Sequence, residues 1–406
     1  MYPVYALLFA DTGLGPAQIS SLFVLWSATG ILLEVPSGVL ADLCSRRALA
    51  ALGPLLGAAG FALCTFAPAY PAFAAGFVLW GAGSAMRSGA LEALVYTELV
   101  RIGARRSPRG GPAATAPTSA EAGAPRRAAW VSQTYTRLIG RSRAAATTGV
   151  MAASVLAVPV LAWGGYTAAG TASVLAALLC ALAGRALPTG GDRERGARHR
   201  DRASGGHGGG AMRSLRTAAA SALAVGGGAL AEVRGSRSAR RALLLLAGLI
   251  GVSGAMDEYV PLLARSAGLG TPAVPLALLA VSAGAVVGGW LAGRHTRLLA
   301  PALAVAAGCM AAGALAGRPA GLLLLAVSLG VTEWAGAAAE ARLQDSVGED
   351  ARATVSSLAG LGTEAVTVLT FAAYALGSVW LGPAALFALA SLAFLAAAGA
   401  LRRGRG

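Results

Sequence analysis

The residues of this sequence best placed to do chemistry are ionisable side chains lying within long apolar runs: Glu34, Arg87, Glu92, Asp257, Glu258, Glu333 and Glu364. An ionisable group inside a bilayer costs on the order of several kcal/mol unless it is paired or faces water, so each belongs to a candidate substrate or proton pathway. Glu34 precedes Asp42 by eight residues and Arg87 precedes Glu98 by eleven, which places both in the inner halves of their helices. An ion pair between Glu34 and Arg87 would lower the cost of both charges. Pro36, beside Glu34, bends a helix and frees a carbonyl for polar partners. Glu333 and Glu364 fall near the middle of their runs, where a desolvated carboxyl group suits proton pickup and release. Asp257, Glu258 and Tyr259 lie nearer the outer end of theirs, where a solvated vestibule and a functional cluster are both open readings. Trp80, Trp334 and Tyr96 suit the wall of a cavity for an aromatic or amphipathic substrate, and aromatics also simply pack or mark interfaces.

The elements that must carry these groups follow from composition. A chain of 406 residues with 56% hydrophobic content, 13% charged residues and mean hydropathy +0.65 reads as a polytopic helical membrane protein rather than two or three globular domains. Apolar segments cover about 1–10, 18–41, 48–66, 71–97, 144–163 and 166–184, then 242–264, 273–293, 299–317, 319–342, 353–376 and 379–401. The first spans only about 15 Å as helix, half the hydrocarbon core, and is expected to be either a real half-helix or a span that began upstream. Residues 1–184 form an amino-terminal bundle interrupted by a disordered insertion at about 101–130. Residues 185–241 form a basic central loop, 242–401 a carboxy-terminal bundle and 402–406 a basic tail. A short apolar stretch at 212–233 is compatible with an interfacial helix, although Gly226–Gly228 argue against a span.

All 33 basic residues are arginine, a bias that fits an Ala- and Gly-rich, GC-rich coding sequence. Thirty of them lie in loops that this topology puts on one side, the cytoplasmic one, whereas Arg265 and Arg318 lie in outer loops and Arg87 in a helix. Topology therefore explains the +15 charge better than nucleic-acid binding, for which interleaved aromatics are missing. Cys44, Cys64, Cys180 and Cys309 are dispersed without a CxxC pair, so no metal, redox cofactor or other cofactor is expected. With no lysine there is no phosphate-binding G-x-x-x-x-G-K-[ST] loop.

One loop ties the chain to a known family. Between the second and third segments stands GVLADLCSRR, in which Gly38, Leu40, Asp42, Arg46 and Arg47 match the pattern G-x-L-A-D-x-x-x-R-R. This resembles the loop signature of the major facilitator superfamily of secondary transporters. Ser45 stands where that family usually has a second glycine, and Leu43 where it often has a basic residue. A weaker echo, GGWLAGRHTR, follows the eighth segment, with Gly293 in place of the carboxylate, and SGALEA (88–93) resembles AGAAAEA (335–341). Segments 3, 5, 6, 8, 9 and 12 carry no ionisable group, and in the resembled family helices 3, 6, 9 and 12 are lipid-facing supports. Phe77 stands where the family's helix-4 arginine motif has its basic residue. Pro159 lacks the preceding glycine of the antiporter signature.

The resemblance implies an all-α fold of two six-helix bundles, twelve transmembrane helices with the first incomplete here. It also implies a multi-pass protein of the cytoplasmic membrane that moves a small organic molecule by alternating access, with the Asp42 loop latching the bundles. Proton-coupled efflux is the expected activity, and short loops resemble the drug-efflux branches more than the sugar-uptake branches. A small-molecule substrate, protons and the lipid bilayer are the expected partners of a monomer. A multi-span membrane enzyme is the alternative, and it would need a His, Cys, Ser or paired-acid cluster that the sequence does not display. A non-coupled channel or scaffold is the other; repeated filter-like segments are not seen.

Overall fold

The computed structural model describes residues 4–43, 45–105, 118–187, 235–291, 296–346 and 352–403, and among these the regular secondary structure is wholly helical. The amino-terminal half comprises α1 (Tyr5–Asp11), α2 (Pro16–Leu43), α3 (Arg46–Phe66), α4 (Tyr70–Arg105) and α5 (Thr118–Arg185). Gly165, at φ 56° and ψ −153°, interrupts α5 and turns one long helix into two spans, as the Gly164–Gly165 pair predicts. The carboxy-terminal half comprises α6 (Arg237–Asp257), α7 (Val260–Ser266), α8 (Val274–Trp290), α9 (Leu299–Leu315), α10 (Gly321–Asp345), α11 (Arg352–Gly377) and α12 (Pro383–Arg403). Eight helices among the described residues are long and apolar enough to cross a membrane, with the kinked α5 counted once.

Packing sorts the helices into two groups. In the first, α4 packs on α2 and α3, and α5 on α3. In the second, α10 packs on α6, α8 and α9, α12 on α9, and α11 on α6. The groups meet where α2 runs along α11 and α5 along α8. Small residues permit the closest approaches, because lipid supplies no hydrophobic drive for helix association and van der Waals fit must do so. A Cβ on Gly53 of α3 would stand 2.6 Å from the Gly83 carbonyl oxygen of α4, and Gly60 and Gly76 repeat the arrangement a little further along. Gly284 and Gly288 form a G-x-x-x-G pair on α8 against Ala326 and Gly330 of α10.

Two details differ from the sequence expectations, and a third expectation is untested. The seventh segment is not one helix: α6 ends at Asp257, Tyr259 caps the short α7, and Pro261 occupies its first turn, where the missing N–H costs nothing. The insertion expected to be disordered is helical at both ends, since α4 continues to Arg105 and α5 starts at Thr118. These extensions lie against each other, with Tyr96 and Tyr135 edge to face at 5.7 Å and Gly103 beside Trp130 and Val131. The stretch 212–233 and nearly all of the central loop lie outside the described residues.

Candidate functional site

The α2–α3 hairpin defines one end of the molecule, the hairpin end. There Ser45 caps α3 by accepting from the Ala48 N–H at 3.3 Å, which gives the residue at the family's glycine position a local job. Leu40 packs against Leu49 across the turn. The tight hairpin is as expected, but the side chains of Asp42, Arg46 and Glu92 lie outside the described residues, as does Cys44.

At the far end the two halves are joined directly. Asp11 closes α1 and forms an ion pair with Arg265 at the end of α7, with Nη2 to Oδ2 at 3.0 Å and a second contact between Nη1 and Oδ1. The Tyr166 hydroxyl donates to the same carboxylate, and Arg265 donates to Thr271 Oγ1 at 2.7 Å. The hydrogen bond from Arg265 holds the Asp11 carboxyl below its usual range, and the same bond raises Arg265. Both side chains are about one-third exposed, so water screens part of this attraction.

Beneath the ion pair lies a layer of buried hydroxyls and rings. Tyr5 of α1 donates to Glu258 Oε2, in the break between α6 and α7. The Tyr259 ring stacks on Tyr374 of α11, with centroids 3.6 Å apart and planes 7° from parallel, and its hydroxyl meets Ser20 of α2 at 2.7 Å. Phe23 of α2 packs edge-on against Tyr259 and tilted against Phe371. Tyr259 is fully buried, so the solvated vestibule considered for Asp257–Tyr259 gives way to a packed seam between the halves. The break in the seventh segment is what turns Tyr259 and Glu258 across that seam.

The remaining acids lie deeper. Asp257 Oδ1 is buried without a hydrogen-bond partner among the described residues, and Glu333 of α10 is within electrostatic range of it. Glu364 of α11 is within range of Glu34 of α2, across the α2–α11 contact, and close to Ser27. The Ser27 hydroxyl is buried within reach of the Glu364 carboxyl group, and Trp26 Nε1 is buried with no hydrogen-bond partner among the described residues. Glu34, Glu333 and Glu364 keep exposed side chains. The expected Glu34–Arg87 ion pair does not form. The Arg87 side chain begins beside Gly53 of α3 and lines a cleft of about 280 Å³ between α3, α4 and the second span of α5, whereas Glu34 looks toward α11. Trp80 packs tilted against Trp26 in an aromatic cluster, Trp334 is buried in the core of the second half, and Tyr96 lies out on the α4 extension.

Sequence reasoning thus found the deep acids but missed Asp11, Arg265, Tyr166, Tyr5 and Ser20. One signal was present: Arg265 is one of only two arginines in loops assigned to the sparsely charged side, and Asp11 is the first acid of the chain.

No family model matches the sequence, and no curated protein matches it. Solved structures do match its fold. A nucleoside transporter, NupG, superposes with a TM-score of 0.63 at 11% identity, over 98% of this chain and 94% of that one. A D-xylose–proton symporter gives 0.58 at 15% identity, over 96% and 90%, and a transporter of the POT family in complex with 5-aminolevulinic acid gives 0.55 at 13%, over 96% and 88%. At such identities the likeness is one of fold: the described residues have the major facilitator fold.

Proposed function

We propose that this chain is a secondary active transporter that moves a small organic molecule across the cytoplasmic membrane by alternating access between its two helical halves, coupled to protons and directed outward. The observation that carries this reading is the far-end seam, where residues some 250 positions apart close the two halves on each other through Asp11–Arg265, Tyr5–Glu258 and Ser20–Tyr259. Such contacts must break if a central site is to open on that side. The deep carboxyl groups Asp257, Glu333 and Glu364 supply the proton-linked positions, and their lack of described counter-cations supports that role. Gly38, Leu40, Asp42, Arg46 and Arg47 form the opposing latch at the hairpin end, by their match to the family loop. The proton symporter among the fold neighbours supports proton coupling, and the short loops support export.

Reconstitution in liposomes tests the proposal. An imposed proton gradient should drive accumulation of organic compounds from a screened panel, and its collapse should abolish it. Chemical conversion of a compound without accumulation would favour an enzyme, and non-saturating flux indifferent to the gradient would favour a channel.

A further inference from the structure

A groove of about 1100 Å³ opens between the hairpin-end portions of α6, α10 and α12, away from the seam that joins the halves. Its mouth carries Arg241 from the first turns of α6, Arg342 and Asp345 from the end of α10, and the hydroxyl residues Ser238 and Ser346. Among the described residues neither arginine has a carboxylate within ion-pair distance. Its walls are apolar and set back by small side chains. Ala393, Ala396, Ala397 and Ala400 fall at helical spacing on one face of α12, and Gly248 stands opposite on α6. A Cβ built on Gly248 would meet nothing within 4 Å, so the space there is open. From Arg241 to Leu249 the helix rises about 12 Å, so the cleft runs from a charged rim well into hydrocarbon depth.

Arg241 and Arg342 above a slot of this shape complement a phosphate joined to an acyl chain. Asp345 at the same rim repels a bare anion, and it is an acceptor for hydroxyl groups carried beside the phosphate. We propose that this groove is a binding site for one glycerophospholipid of the phosphatidylglycerol type. The phosphate sits between Arg241 and Arg342, a headgroup hydroxyl donates to Asp345, and one acyl chain lies between Gly248 and the alanine face of α12. The lipid would wedge α12 from α6 and α10 in one half of the protein.

Native mass spectrometry of the full-length protein in mild detergent, titrated with dioleoyl phosphatidylglycerol or dioleoyl phosphatidylcholine, reads the site. Wild-type protein should retain one phosphatidylglycerol at about 25-fold lower lipid concentration than phosphatidylcholine, since each of the two arginines near an anionic headgroup contributes roughly fivefold. The double variant Arg241→Gln/Arg342→Gln should lose that preference. Gly248→Leu and, separately, Ala396→Leu should lose the bound lipid while keeping every charge. Equal retention of the two lipids by the wild type, a preference surviving the double variant, or lipid retained by both groove-filling variants would each overturn the proposal.

Discussion

At the residue scale the outer seam and the deep acids make different demands on pH. Asp11 is ionised more readily than a free carboxyl because Arg265 bonds to its charged form. What the pair contributes to closure is therefore complete above the ordinary value of 3.8 and fades as pH falls through the depressed one. The ion pair's own share of that closure, read as the difference in reactivity of a cysteine introduced there between wild type and Asp11→Asn, should be flat from about pH 8 to pH 5 and shrink only below about pH 4. Any change of transport rate between pH 5 and 8 then belongs to other groups, and the deep carboxyls are the candidates. Replacing Glu333 or Glu364 by glutamine should abolish gradient-driven accumulation while sparing substrate exchange. If both single variants keep the wild-type pH profile, neither acid couples. The acids were legible from sequence because a charge in an apolar run stands out against its neighbours. Their partners were not, since Glu34 turns toward α11 and Arg87 toward α3 and α5, and a one-dimensional reading gives depth but not direction.

At the scale of elements, glycine decides where helices turn and where they touch. Gly165 holds a backbone conformation that side chains other than glycine's adopt only with strain, and Gly165→Ala should destabilise the protein by about 1–3 kcal/mol. Thermal unfolding in detergent would register this as an earlier transition, and an unchanged midpoint would show that the turn relaxes. Gly288→Val tests the α8–α10 contact differently, because its Cβ would run into the Gly330 carbonyl and force the helices apart. That variant should lose both stability and transport, whereas Gly289→Ala, whose Cβ meets nothing, should be tolerated. The spans and the α5 turn could be read directly, as apolar length and a glycine pair announce them. The break between α6 and α7 could not, because MDEYVP differs from a continuous helix by one proline that a first turn also accepts. The insertion between α4 and α5 misled for a related reason. Its Ala- and Arg-rich flanks lack apolar periodicity, yet both residue types favour helix.

At the scale of the molecule, the far-end seam and the hairpin loop act as opposed latches under the proposed mechanism, and this gives a test that neither supplies alone. Asp11→Asn removes a bond that exists only when the far end is closed, and should shift the balance toward opening there. Asp42→Asn should shift it the opposite way and slow turnover. Combining them should bring accessibility on the two faces back toward the wild type, because each ligand-free state loses a similar constraint. Accessibility that follows one single variant regardless of the other would mean that one of the two sites is a passive anchor.

The paired extensions of α4 and α5 have a practical side. At 1.5 Å per residue, the 36 residues of α4 make a rod of about 54 Å, well beyond the roughly 30 Å of hydrocarbon. The surplus, braced by Tyr96 against Tyr135, is a rigid handle continuous with the amino-terminal half. A spectroscopic label near its tip would sit on a long arm, so a small rotation of that half against the other would appear there as a displacement magnified by leverage.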